Sequence, residues 1–362
     1  MNLLAEEIAS IISHEGPISI ERYMSICLSH PTMGYYMTRD PFGASGDFVT
    51  SPEISQMFGE LVGLWGAEAW TLAGSPQPPL LVELGPGRGQ LMADALRALR
   101  VAPHFHSALE VFMIETSPKL VAAQQAKLSG SERPITWLET LDALPHAPAI
   151  FVANELFDAL PVRHYVRTDR GWCERQVGFA NGRFFFGAAP DPEPYLQADA
   201  PTGAIVEVAA ESQRLMTRLS AHIMKYGGAL LAIDYGHTQT QLGETLQAMK
   251  NHAFVDPLES PGEADLTAHV DFAALGRAAR STGARVHGPV TQGAFLERIG
   301  IERRAEALMK KATVPQQVEI RSSLIRLTSQ ERPTDMGRLF KAIAVTRPAV
   351  EGLPGFLEDI QA

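Results

Sequence analysis

Cysteine is scarce: a chain of 362 residues has two, Cys27 and Cys173. Two thiols build neither a disulfide framework nor a thiolate metal site, and so few fit a reducing compartment. Basic charge is short as well. Against 31 Lys and Arg stand 41 Asp and Glu, a net charge of −10. Broad nucleic-acid binding rests on basic patches that neutralise phosphates, so no nucleic-acid partner is expected; the same acidity permits a pocket for a cationic substrate. No apolar run reaches the length of a membrane span. Met1 to Ser13 holds Glu6 and Glu7 but no Lys or Arg, unlike a secretory signal or an Arg-rich transit peptide. The expected location is therefore cytoplasmic, in a bacterium. The eleven histidines are scattered, none spaced with cysteine as zinc ligands are, and no metal is expected.

What is present is a composition 45% hydrophobic and 20% charged, that of an ordinary globular protein with room for one large domain or two. The most informative run is Leu80-Leu81-Val82-Glu83-Leu84-Gly85-Pro86-Gly87-Arg88-Gly89. A short apolar run followed by alternate glycines reads as a buried parallel strand entering a tight turn and a helix. Glycine there accepts positive φ and lets a ligand approach the backbone. The spacing is G-x-G-x-G, and Gln90 stands where a dinucleotide fingerprint needs its third glycine. With Glu83 two residues ahead, the run resembles the first motif of class I S-adenosylmethionine-dependent methyltransferases.

Around this run the chain alternates strands and helices. Strands are expected at Leu80–Leu84, Val111–Ile114, Ile135–Leu138, Ala149–Ala153 and Ala229–Ile233, with helices at Gln90–Leu99, Pro118–Leu128 and Glu211–Lys225. That rhythm predicts an α/β fold with a parallel, doubly wound, Rossmann-like sheet. Ahead of it, 3–14 and 19–28 read as helices, 34–47 as a loop, and Thr50 to Leu72 as one helix, started either by Ser51 as cap with Pro52 in the first turn or by a Thr50–Glu53 capping box. Gly74 to Pro79 is the clearest linker. Residues 162–187 read as antiparallel strands turning at Asp169-Arg170-Gly171 and Asn181-Gly182. The stretch 238–268 reads as a long polar loop, 271–282 and 292–311 as helices, and Arg285–His287 and Phe340–Val345 as strands. The expected organisation is an N-terminal helical or lid region over 1–75 and a methyltransferase domain over 76–362, with insertions at about 162–187 and 238–340. The aromatics and methionines of 23–37 serve either an interface, as in a homo-oligomer, or the core.

In an open α/β sheet, ligands bind beyond the carboxyl ends of the strands, so the residues after each strand belong together. Gly85, Pro86, Gly87 and Gly89 lead into a helix whose N–H groups suit a carboxylate. Glu115 ends the second strand, where a carboxylate accepts ribose hydroxyls; its alternative role is a capping acid. Asn154-Glu155-Leu156-Phe157-Asp158 follows the fourth strand. Two acids three apart, with Asn154 beside them, suit a cationic acceptor such as a planar guanidinium, or Asn154 and Asp158 simply cap a helix. Asp47, Ser51, Pro52 and Glu53 form either a lid over the cofactor or a loop and helix start. Asp234 and Tyr235 follow the fifth strand on the ligand side. His269, with Asp271 two residues on, is either a base or a hydrogen-bonded structural histidine.

Seven stretches together are similar to the MidA-like family of S-adenosylmethionine-dependent methyltransferases, which has bacterial and mitochondrial members: GDFVTSPEISQMFGELVGLW (46–65), LVELGPGRGQLMADALR (81–97), VANELFDALPVR (152–163), LLAIDYGH (230–237), GEADLTAHVDF (262–272), TQGAFLERIGIERR (291–304) and MGRLFKAIAV (336–345). They run in order along nearly the whole chain. The resemblance implies S-adenosyl-L-methionine held at Glu83, Gly85, Pro86, Gly87, Gly89, Glu115 and Asn154, with acceptor chemistry at Asn154, Glu155 and Asp158. It implies protein arginine methylation of a core hydrophilic subunit of respiratory complex I during assembly. The paired-glutamate loop of other arginine methyltransferases is not found here; only Glu155 matches it. Rival readings are a small-molecule methyltransferase, an aminopropyl transferase and a cofactor-binding assembly factor that transfers nothing.

Overall fold

The structure, a computed structural model, describes residues 1–39 and 49–356. The chain divides into two compact units. One is built from the described residues of Val49–Leu156, Leu215–Thr238 and Phe272–Ala362, the other from those of Met1–Phe48, Phe157–Arg214 and Gln239–Asp271.

The first unit holds the expected sheet: β1 (Leu80–Leu84), β2 (Glu110–Ile114), β3 (Ile135–Leu138), β4 (Ala149–Asn154), β5 (Gly228–His237), β6 (Arg285–Thr291) and β7 (Phe340–Thr346). They lie in the order β3-β2-β1-β4-β5-β7-β6. Neighbours from β3 to β5 pair in parallel, and β7 pairs antiparallel with both β5 and β6. Every residue of β1 and β4 is buried, which is why their sequences run apolar without alternation. The direction of strand addition reverses between β1 and β4, the switch point at which such sheets bind ligands. Helices α1 (Gln56–Leu72), α2 (Gln90–Ala98) and α3 (Pro118–Lys127) belong to the same unit. Trp65 and Trp70 of α1, Leu91 and Leu96 of α2, and Leu81 and Ile150 of the sheet share one core.

The other unit carries helices Leu3–Glu15 and Ile20–Ser29. Its larger sheet pairs Gly171–Ala180 with Ile18–Ser19, Arg163–Thr168 and Arg183–Pro192, and Arg163–Thr168 with Ile205–Val208. The turn signals at 169–171 and 181–182 are thus real, with Asn181 at φ 51 and Gly182 at φ 76. Tyr23, Met24, Cys27, Leu28 and Tyr35 are buried in this unit's core, so these side chains of the 23–37 stretch pack inside.

Several expectations need correction. The helix expected from Thr50 to Leu72 is two, Ser51–Ile54 and α1, because Ser55 adopts extended backbone and caps α1 by accepting the Met57 N–H. Thr50 is the cap residue of the first, without a side-chain hydrogen bond, so neither expected cap forms. The helix expected over 292–311 breaks into Gln292–Arg298 and Ile301–Met309, where Gly300 is left-handed at φ 94. The expected loop 238–268 contains a sheet of Gln247–Lys250, Ala253–Val255 and Asp265–Thr267; strands this short leave too little alternation to be read. A four-residue helix, Tyr35–Thr38, lies within the expected loop 34–47. Helix Val314–Thr328, which no expectation covered, has a Thr313–Gln316 capping box. Among the described residues no helix is long and apolar enough to cross a membrane.

Candidate functional site

Register places the post-strand residues together. Leu84 lies beside Ile114 of β2 and Ala153 of β4, and Asn154 beside Ile233 of β5. Gly85, Glu115, Glu155 and Asp234 therefore emerge from the carboxyl ends of four neighbouring strands. Backbone bonds carry the ladder one residue further: Gly85 donates to Ile114 O at 3.1 Å, Glu115 to Leu138 O at 3.0 Å and Glu155 to Ile233 O at 2.8 Å. Asp234 is itself still within β5, which runs on through His237 rather than ending at Ile233.

The turn after β1 needs its glycines. Gly85, Gly87 and Gly89 lie at φ 62, 54 and 77, a region that costs other residues about 1–2 kcal/mol. A Cβ on Gly85 would also stand 2.8 Å from Leu156 Cδ1. Gly89 caps α2 with no side-chain bond, leaving the helix start to backbone groups. Beneath the turn, Glu83 is buried and accepts from the Met92 backbone N–H in the first turn of α2. Burial pushes its carboxyl up to about 8; the Met92 bond opposes this and the nearby Glu115 charge adds to it.

Glu115 is buried at the end of β2. Its Oε1 accepts the Ser117 N–H at 2.8 Å and its Oε2 accepts Gln124 Nε2 at 3.2 Å. Burial raises its carboxyl above the usual range, against these hydrogen bonds. Ser117 caps α3 as its sequence suggested, accepting from Leu120. Gln124 was missed in the sequence. It is fully buried, donates also to Gly87 O at 2.8 Å, and accepts Trp137 Nε1 at 2.9 Å on Oε1. The available signal was a polar residue four positions after Leu120, on the stripe that α3 buries.

At the end of β4, Glu155 takes φ 51, a strained conformation for a non-glycine residue. Its Oε1 accepts the Ser51 N–H at 2.9 Å and Asn154 Nδ2 at 3.0 Å. Ser51 and Pro52 are buried, and Ser51 Oγ donates to Gln292 Oε1 at 3.3 Å; Glu53 is half-buried, its N–H on Thr50 O. Asp234 is buried and accepts the Leu156 and Tyr235 N–H groups at 3.1 and 2.9 Å, and the Tyr235 ring lies 5.4 Å from that of Phe340. Two buried acceptors, Glu83 Oε2 and Asn154 Oδ1, have no hydrogen-bond partner among the described residues. Unpaired acceptors at the ends of adjacent strands call for a cationic or N–H donor.

The remaining expected residues are not in this unit. Asp158 is buried in the other, its carbonyl accepting the Ala268 N–H at 2.9 Å. In the same unit Tyr36, another residue the sequence did not single out, donates to Asp265 at 2.8 Å. His269 there is half-buried, and its backbone N–H donates to Thr245 Oγ1 at 2.8 Å. Asp47 lies outside the described residues.

A family profile for S-adenosyl-L-methionine-dependent methyltransferases matches residues 61–290. Protein arginine methyltransferase NDUFAF7, mitochondrial, from Danio rerio is 36% identical over 374 residues, covering 96% of this chain and 87% of that protein. The Drosophila melanogaster homologue is 37% identical, covering 94% and 84%. A crystal structure from Burkholderia thailandensis bound to S-adenosyl-homocysteine superposes with TM-score 0.84 at 29% identity, covering 98% of this chain and 94% of that one.

Proposed function

This chain belongs to the family of S-adenosyl-L-methionine-dependent methyltransferases that includes the mitochondrial NDUFAF7 proteins, and from that premise we propose that it methylates arginine nitrogen in a protein. The proposed substrate is a hydrophilic subunit of respiratory complex I, taken up during assembly. The observation that carries the reading is the emergence of the glycine turn, Glu115 and Asn154-Glu155 from adjacent parallel strands.

The methyl donor is S-adenosyl-L-methionine, and its residues here fit it. The positive-φ glycines give close backbone approach, and the unpaired Glu83 Oε2 and Asn154 Oδ1 are acceptors suited to an ammonium group. Beside the Ser117, Gln124 and Thr116 donors, Glu115 keeps acceptor capacity for a ribose hydroxyl. Bound, the cofactor supplies an electrophilic sulfonium methyl. Everything else is the task of the protein, chiefly alignment of the incoming nitrogen. We assign that to Glu155, whose backbone strain and hold on Ser51 fix the carboxylate at the strand end. A carboxylate so held pairs with a guanidinium, keeps it cationic until transfer, and accepts the proton released as nitrogen takes the methyl. Asn154 orients Glu155 through its amide. Ser51, Pro52, Glu53, Asp234 and Tyr235 are proposed as the frame that holds this edge.

Cys27 and Cys173 are buried free thiols, which fits a reducing compartment; the proposed location is the bacterial cytoplasm. The test is a transfer assay with methyl-labelled S-adenosyl-L-methionine and an extract of cells lacking this gene. Methylarginine in a labelled protein band is expected. Label confined to small molecules would replace the proposal with a small-molecule methyltransferase, and no label despite tight cofactor binding would point to an assembly factor.

A further inference from the structure

We propose that Gln124 is a positioning residue for methyl-donor binding, one amide that sets both the glycine turn and the ribose-binding carboxylate. The proposal rests on the reading of Glu115 as the ribose acid. Gln124 has two N–H donors on Nε2, and both are used: one on Gly87 O at 2.8 Å, the other on Glu115 Oε2 at 3.2 Å. Its Oε1 accepts from Trp137 Nε1 at 2.9 Å. The indole is a donor only, so it decides which way the amide faces. A flipped amide would set Nε2 against the indole N–H, and Oε1 against a carbonyl and a carboxylate. One orientation therefore survives, and it delivers N–H groups to the two elements a donor nucleoside would touch.

A residue needed only for packing would be cheaper if apolar, since burying an amide costs free energy that hydrogen bonds merely recover. Here the three bonds join β3, through Trp137, to the turn after β1 and the acid after β2. They also hold Glu115 from one side while the Ser117 N–H holds it from the other. With the Thr116 N–H also on Glu115, these bonds restrict rotation of the carboxylate and leave a lone-pair direction for a ribose hydroxyl. Without Gln124 the Oε2 side of the carboxylate loses its donor, as does the Gly87 carbonyl.

The experiment measures dissociation constants by calorimetry for S-adenosylhomocysteine and its 2′-deoxyribose analogue, on wild type, Gln124→Met and Glu115→Gln, with melting temperatures of the ligand-free proteins. Wild type is expected to bind the 2′-deoxy analogue about tenfold more weakly, the worth of a hydrogen bond to a charged group. Glu115→Gln should reduce that ratio to about twofold. Gln124→Met should weaken S-adenosylhomocysteine about tenfold and bring the ratio to the same low value, whereas a purely structural role would weaken both ligands equally. An unchanged ratio in Gln124→Met beside a collapsed one in Glu115→Gln overturns the proposal alone. An unchanged ratio in Glu115→Gln overturns the ribose reading and the proposal together. Should Gln124→Met not fold, Trp137→Phe keeps Gln124 and removes only the donor that orients it. That variant should lower the ratio about threefold; a wild-type ratio overturns the proposal.

Discussion

The Ser51 backbone N–H donates to Glu155 Oε1 at 2.9 Å across 104 residues of sequence. The segment ahead of the sheet is thereby tied to the acid that follows β4. Glu155 thereby holds the start of the helix Ser51–Ile54 and presents a fixed carboxylate. The Asn154 amide donates to the same oxygen at 3.0 Å, so both bonds fall on Oε1.

This makes Glu155→Gln an informative change. Glutamine keeps an amide oxygen to accept the Ser51 N–H, so the local fold should persist. The negative charge and the proton acceptor are lost. Methyl transfer is expected to fall by about 100-fold, with S-adenosylhomocysteine affinity changing by less than about threefold. Single-turnover rates and calorimetry check both. Transfer near the wild-type rate would remove Glu155 from the acceptor site.

Gly87→Val should abolish donor binding. Gly87 lies at φ 54, where a β-branched residue carries a cost of about 1–2 kcal/mol or more, and its carbonyl is fixed by Gln124. At least a tenfold loss of affinity is expected by calorimetry. Undiminished binding would show that the turn does not touch the ligand.

Glu83 predicts a pH dependence. Its carboxyl is raised to about 8, first by burial and then by the Glu115 charge, against the Met92 bond. The folded form therefore holds a proton that the unfolded chain releases near the ordinary value of 4.5. The stability this contributes is fully present below about 4.5 and is lost as pH rises through about 8. Glu83→Gln cannot ionise, so its melting temperature relative to wild type should climb between pH 5 and 8.5. A cationic ligand beside Glu83 favours the ionised form, so binding near neutral pH should release up to about one proton. Calorimetry in buffers of different ionisation enthalpy measures that release; zero release would separate Glu83 from the ligand's ammonium.

Glu60 tests the packing that supports the turn. It is buried on α1 and accepts from Arg97 of α2 at 3.0 Å and from Arg304 at 2.7 and 3.0 Å. Both arginines are partly exposed, which tempers the loss. Glu60→Ala should cost about 2 kcal/mol in urea unfolding. A loss below about 0.5 kcal/mol would make the network a surface feature.

Much of this molecule was legible because its signals are local. The apolar runs of β1 and β4, the Ser117-Pro118 helix start and the turns at 169–171 and 181–182 each lie within a few residues, and backbone sterics and burial decide them there. Ser55 and Gly300 broke expected helices because a cap and a left-handed residue compete with propensity over a single position. The strands inside 238–268 were too short for alternation to register.

By itself the sequence determined the strand–turn–helix chemistry: an acid, three glycines able to take positive φ, and acids poised after consecutive strands. Only tertiary structure decided which atoms of those residues are committed. Glu155 Oε1 goes to Ser51, Asp234 to the Leu156 N–H, and Gln124 to a carbonyl 37 residues away. Partners so distant in sequence meet only once the sheet has set its order and register. A buried polar group must then take whichever partner the packing brings, because leaving it unpaired costs more than any local preference supplies.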